Sequence, residues 1–243
     1  MPLPPYDTVE TALNMARVRI NDAIGNGLAG QVLTDLQPFT IQVINSGWRR
    51  LQSELAKLGF TKNIKTVVFL AVPAAASTDA ALICYLNWGG YFDGAIQQAA
   101  PVLPQDFIVP LSMQERANGS GTVFYTMDGP PAILPPMPYI GPGLFNNFWT
   151  WANETIYLRG TLGLQDLQLE YAAYLDDFTA GSYGTQPIPI MRSALALSLF
   201  IAAEVAKPRG GDAGDKILGE AQAEVLAMVG RENPGVLVPK EAA

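Results

Sequence analysis

The chain has no histidine and a single cysteine, Cys84, in 243 residues. Without histidine there is no Ser-His-Asp or Cys-His catalysis, and the commonest general acid/base and metal ligand near neutral pH is missing. One cysteine permits neither an internal disulfide nor a cysteine-rich zinc site. Cys84 lies in LICYLNW, a strand-like run, where it reads as a small buried apolar residue. Charge is scarce too: 15% of residues are charged and the net charge is −7. No Lys/Arg run is longer than Arg49-Arg50, which argues against a protein that grips nucleic acid by neutralising phosphates. No basic segment followed by an apolar one opens the chain, so no signal peptide is expected. The most apolar run, 194–205, is too short to span a bilayer. GxxxxGK[ST] is absent, as is a GxGxxG opening a helix after a strand.

About half the residues are hydrophobic, 49%. A thin charged surface over so much apolar material fits either a monomer with a large core or a chain that buries surface against copies of itself. Residues 1–5 form a proline-rich arm. A helix is expected from Asp7, with Asp7 as N-cap three residues before Glu10. Its inner face is Val9, Leu13, Ala16, Ile20 and Ile24, its outer face Glu10, Arg17 and Asp22, and Gly25-Asn26-Gly27 stops it. A second helix runs from about Pro38 to Leu58 on Ile41, Ile44, Trp48, Leu51, Leu55 and Leu58, ending at Gly59. Off that stripe lie Arg49 and Arg50. They read as a contact to a partner or DNA, or as a solvated face with an Arg50–Glu54 pair.

After Gly59 the period changes. Strands are expected at 65–73 and 81–88, with a small-residue loop at 74–78 and turns at Gly89-Gly90 and Asp93-Gly94. Residues 106–116 alternate Phe107, Val109, Leu111 and Met113 on one face, turn at 117–121 and return over 122–127 as a hairpin. Residues 128–143 hold six prolines and read as an extended loop, whether a connector, a proline-motif ligand or an arm onto a neighbour. Strands at 148–152, 155–160 and 167–175 are expected to form a three-strand meander, followed by the acidic exit loop from Asp176-Asp177 to Gly184. A helix apolar nearly all round, 191–206, should be central and buried. A last helix is expected over 212–229, with Ile217, Leu218, Ala221, Val225 and Met228 inward, then a tail, 230–243.

The fold class is therefore α+β: a four-helix bundle, two helices from each end of the chain, with a large antiparallel β-rich insertion. The expected domains are 1–62 with 187–243, and 63–186. The stretch 144–192 is the seam between them, with two of the four tryptophans and four of the nine tyrosines. Carboxylate-pair catalysis is the one enzymatic route left open. Glu154, Glu170, Asp176 and Asp177 lie among aromatics, as in a glycosidase cleft. Glu154 in a turn and Asp176-Asp177 in a loop read better as turn chemistry, so the chain is expected not to be an enzyme and to need no cofactor or metal.

Three segments carry a family resemblance: NSGWRRLQSELAKLGF, DFIVPLSMQERANGS, and WTWANETIYLRGTLGLQDLQLEYAAYLDDF leading into PIPIMRSALALSLFIAAEVA. In this order the chain resembles the head-to-tail connector (adaptor) proteins of tailed bacteriophages. The resemblance implies a virion protein assembled in the host cytoplasm as a ring of twelve copies under the portal at the capsid vertex. It would contact tail or neck proteins, with double-stranded DNA passing through without sequence recognition and no membrane involved. By position it implies a portal-docking tail around Asn233, Pro234, Val236, Leu237 and Val238. Arg49, Arg50, Trp149, Trp151, Asp176 and Asp177 are the candidate subunit or tail contacts. An acidic lumen would let DNA slide. The alternatives are another neck, tail-completion or decoration protein, or a carboxylate-based hydrolase.

Overall fold

A computed structural model describes residues 7–24, 39–73, 84–93, 96–98, 101–121, 123–129, 143–181, 185–209 and 212–232. The expected arm at 1–5, the Gly25-Asn26-Gly27 stop, the loop at 74–78, most of the proline-rich stretch and the 233–238 tail lie outside these residues. The fold is α+β, with two N-terminal helices, an antiparallel β region and two C-terminal helices. It divides into two compact units, 1–62 with 175–243, and 63–174. The expected second boundary at 187 moves to 175, because 175–178 hydrogen-bonds to a helix of the first unit.

In the first unit, α1 spans Val9–Ile24 and α2 spans Ile41–Lys57. The C-terminal pair is α3, Ala194–Ala206, and α4, Ala213–Glu232. The N-cap of α1 is Thr8, not Asp7: the Thr8 hydroxyl accepts from Thr11 N at 3.4 Å. Asp7 instead lends its carbonyl to Ile188 N at 2.8 Å, while Val9 N donates to Gln186 O at 3.1 Å. The chain therefore enters α1 as a bridge to the 186–188 segment, and capping passes to the next hydroxyl. Thr40 caps α2 by accepting from Val43 N at 3.4 Å, so this helix starts three residues after Pro38. Its end is as read, with Gly59 at φ +75°. Val9, Leu13, Ala16 and Ile20 of α1, and Ile44, Trp48, Leu51 and Leu55 of α2, are buried in one core with α3. Gly47 brings α2 onto α3: a Cβ there would lie 2.8 Å from Ile201 Cγ1 and 3.0 Å from its backbone N.

Among its described residues the second unit holds nine strands in two antiparallel sheets. In chain order they are β1 Ile64–Val72, β2 Cys84–Asn87, β3 Gly90–Asp93, β4 Ile96–Gln98, β5 Phe107–Ala117, β6 Tyr125–Thr126, β7 Trp149–Ala152, β8 Thr155–Leu158 and β9 Gln165–Ala173. One sheet runs β1-β9-β5-β6, the other β4-β3-β2-β8-β7. The expected meander is thus broken. The β7–β8 hairpin forms, turning at Asn153 (φ +49°) and Glu154 (φ +58°), but β9 leaves for the other sheet. Length explains the choice. Strand β9 has nine residues, mostly buried on both faces, and needs a long partner on each side. Strands β1 and β5, nine and eleven residues, supply them, whereas β7 and β8 have four each. The β5–β6 hairpin forms over only Gln114↔Thr126 and Glu115↔Tyr125. The 107/109/111/113 face does not hold: register shifts around Pro110 turn Phe107, Pro110, Met113 and Glu115 inward instead. A proline cannot donate to a ladder, and an irregularity there accommodates it. Strands β3 and β4 hide behind Gly89 and Asp93, which read only as turns.

Both sheets contribute to one core, with Phe69, Met113, Leu167 and Leu169 from the first, and Cys84, Leu86, Trp149, Ile156 and Leu158 from the second. The ends of this unit lie side by side: Ala173 N donates to Asn63 O at 2.8 Å, and Asn63 Nδ2 to Tyr174 O at 3.0 Å.

Candidate functional site

Four of the six candidate contact residues fall in the helical unit, and three of them, Arg49, Asp176 and Asp177, belong to a strap. Residues 175–178 lie along one stripe of α2. Gln52 Oε1 accepts from Leu175 N at 2.6 Å, and Trp48 Nε1 donates to Asp176 O at 3.1 Å. Asn45 closes on Phe178 with both its amide groups, at 3.1 and 2.9 Å. Arg49 forks onto Asp177 at 3.0 and 2.5 Å. Asn45, Trp48, Arg49 and Gln52 recur at steps of three, one and three, the spacing of one helix face. The acidic pair is thereby engaged with its own chain: Asp177 by its carboxylate, Asp176 by its carbonyl. Arg50 does not pair with Glu54. Its Nη1 reaches Glu204 of α3 at 2.8 Å, and Glu54 takes Lys57 at 2.9 Å. The i,i+4 expectation fails because a carboxylate on a packed neighbouring helix is available, and a partly buried pair excludes water that an exposed one does not.

The tryptophans part company. Trp149 is wholly buried, and a Cβ on Gly129 would lie 2.7 Å from its Nε1. It is a core residue of the β unit and offers nothing to a partner. Trp151 is half-buried and packs edge-to-face on Phe107, centroids 5.5 Å apart. The remaining candidates, Asn233, Pro234, Val236, Leu237 and Val238, lie beyond the described residues. The tail itself begins later than expected, since α4 continues through Glu232 and Arg231 pairs with Glu224 at 2.7 Å.

Of the acids considered for catalysis, Glu170 accepts from the Ser112 hydroxyl at 2.8 Å and Glu154 occupies the β7–β8 turn. The best-held carboxylates are two others. Glu115, 2% exposed, accepts from Asn146 N, Asn146 Nδ2 and Asn147 N at 2.8, 2.9 and 2.7 Å, pinning the 146–147 loop. Asp166, 1% exposed, takes Arg116 Nε at 2.9 Å, Asn118 Nδ2 at 2.7 Å and Ala71 N at 3.0 Å. Burial raises its pKa, but those hydrogen bonds and the Arg116 charge outweigh it and hold the carboxyl below its ordinary range. A third cluster joins Asp106 to Lys65 and to the Tyr171 hydroxyl at 3.1 Å. Burial, then the bond to Asp106 and its charge, pushes the Tyr171 phenol up to about 12. Glu115, Asp166 and Asp106 are each held by two or more donors of their own unit, the pattern of structural anchors. Among the described residues no group of three or more His, Cys, Asp or Glu could hold a metal ion.

The sequence reading missed an apolar groove on the helical unit. Met15, Val18 and Arg19 of α1, Leu195, Ser198 and Leu199 of α3, and Glu220, Ala223 and Glu224 of α4 line an open cleft of about 600 Å³. Val18 is 62% exposed, Leu195 44% and Met15 40%. Arg19 and Glu220 form an ion pair across it. Here α3 departs from expectation: Leu195 faces out, so the helix is not buried all round. The available signal was that Met15 and Val18 fall off the inner stripe of α1 while remaining large and apolar.

No protein-family model matches the chain, and a search of curated proteins finds no match.

Proposed function

We propose that this chain is a virion structural protein, the subunit of an adaptor ring that joins the portal to the tail or neck of a tailed bacteriophage and surrounds the DNA path. The observation that carries the reading is the groove. Large apolar side chains left open on α1 and α3, namely Met15, Val18 and Leu195, in a chain with so few charges, suit a surface covered by another copy of the same protein. The ordered layout, two helices, a β-rich insertion and two helices, agrees with the resemblance carried by the sequence segments. A negative net charge suits a conduit that DNA must slide through rather than adhere to.

The test is assembly. Purified chain, alone and mixed with the portal protein of the same genome, is examined by native mass spectrometry and negative-stain imaging. A ring with a central opening is expected once the portal protein is present, and Val18→Asp with Leu195→Asp should abolish it while leaving the helical circular dichroism unchanged. A chain that forms no ring, with or without portal, overturns the reading.

A further inference from the structure

Among the described residues, one long edge of the β unit carries no neighbouring strand, that of β1 away from β9. Among the same residues β1 ends its sheet, next to β9 on one side only. Natural edges are blunted by shortness, by proline, or by charges turned to solvent. β1 has only the last of these, in Lys65, whose side chain is 48% exposed near one end of the strand. It is nine residues long, IKTVVFLAV, without proline. Its one charge, Lys65, is engaged with Asp106. On the opposite face of the strand stand Ile64, Thr66, Val68 and Leu70, with Ile64 53%, Val68 43% and Leu70 65% exposed. The register with β9 is regular from Ile64 to Phe69 and slips only between Phe69 and Val72, where Ala71 takes φ +52°. The bulge therefore lies at the far end of the strand and leaves most of the edge straight.

We infer that β1 pairs antiparallel with β1 of a second copy of this chain about a two-fold axis at Val67, joining the two four-stranded sheets into one. The strand is self-complementary in that register. Ile64 meets Leu70 of the second copy, Thr66 meets Val68, and Lys65 meets Phe69, so no charge faces a like charge. The outward pairs are β-branched or aliphatic throughout, the pairs that best stabilise a ladder. The shape of the patch selects a strand as occupant. Inward from Thr66 and Val68 the same face of the sheet is polar, with Glu170 and Gln168 of β9 followed by Ser112 and Gln114 of β5, and Ser112 bonded to Glu170 at 2.8 Å. Apolar residues continue inward only at the Ile64 end, as Ala172 and Val109, so over most of its length the stripe is one strand wide, too narrow for a second sheet stacked face to face. A two-fold contact closes on itself and does not generate a ring. The pair is accordingly a form of the free protein, independent of the adaptor reading.

Sedimentation velocity on the full chain tests it, alongside Val68→Lys, Val68→Thr and the double variant Thr66→Cys with Val68→Cys. The wild type and Val68→Thr should sediment as a dimer. Val68→Lys should lose the dimer with its circular dichroism and Tm unchanged. On mild oxidation the double cysteine variant should run as a covalent dimer, since residues 66 and 68 of opposite copies stand face to face. That arm still decides if Val68→Lys misfolds. A wild type that stays monomeric up to about 100 µM, where even a micromolar pair would be almost wholly formed, overturns the inference. So does a dimer that survives Val68→Lys, or a cysteine variant that does not cross-link. A ring-sized species indifferent to Val68→Lys would leave the adaptor reading standing and remove this one.

Discussion

Gly47 sits in the middle of α2, where glycine ordinarily costs about 1 kcal/mol relative to alanine. It stays because α3 is too close for a methyl group. The nearest atoms to an added Cβ include the backbone N and Cα of Ile201, 3.0 and 3.2 Å away, which cannot swing aside. Gly47→Ala should therefore lower stability by about 1–2 kcal/mol, overpacking outweighing the gain in helix propensity. Gly219, inside α4 with nothing within 4 Å of an added Cβ, should respond with the opposite sign and gain up to about 1 kcal/mol as alanine. Urea titration of both variants checks the pair. Asp166 gives a prediction in pH. Its pKa is lowered in the folded chain, so its contribution is complete above the unfolded value of about 3.9 and disappears as pH falls through the folded one. Asp166→Asn should cost on the order of 3 kcal/mol at neutral pH, leaving Arg116 without its buried partner. It should also flatten the loss of stability below about pH 4. Urea midpoints measured across that acid range read both effects.

At the scale of elements, α3 and β9 play the same part in their respective units. Each is the central element with neighbours on more than one side. Leu197 of α3 is fully buried, whereas Leu195, two residues away, is 44% exposed in the groove. Leu197→Ala should cost about 2–5 kcal/mol and Leu195→Ala well under about 1 kcal/mol, measured by denaturant unfolding. The contrast also tests whether Leu195 is kept for contact rather than for the fold. In β9, Leu167 and Leu169 point into the shared core of the two sheets, and Gln168 and Glu170 point away. The strand itself was readable in the sequence. Its partners were not, because the period of a strand says which face is apolar and nothing about which strand lies beside it.

At the scale of the whole molecule, the two cores share no residue. The β unit is continuous in sequence, and its ends are hydrogen-bonded to each other through Asn63, Ala173 and Tyr174. The helical unit is completed only when both ends of the chain are present. Residues 63–174 expressed alone should fold cooperatively with a β-type circular dichroism spectrum. In the full chain, Leu197→Ala and Leu169→Ala should shift different thermal transitions, making the calorimetric and van't Hoff enthalpies unequal. On the adaptor reading, deletion from Asn233 onward should abolish portal attachment in a pull-down without altering the helical signal. The deletion must start there because 230–232 belong to α4.

By itself the sequence determined the four helices, the buried stripes of α1, α2 and α4, the Gly59 stop and the hairpin turn at Asn153-Glu154. These are local matters of period, capping and turn chemistry, decided within a few residues of each position. Only the tertiary structure decided what depends on distant neighbours. Thr8 displaced Asp7 as a cap because the 186–188 segment uses the Asp7 carbonyl. Arg49, Arg50 and Asp177 turned out to be engaged at home, since their partners are 128 or more positions away in the chain. Trp149 went into a core, Leu195 came out of one, and β9 left its sequence neighbours for strands of its own length. Each outcome was set by which surfaces the folded chain brought together and which it left bare.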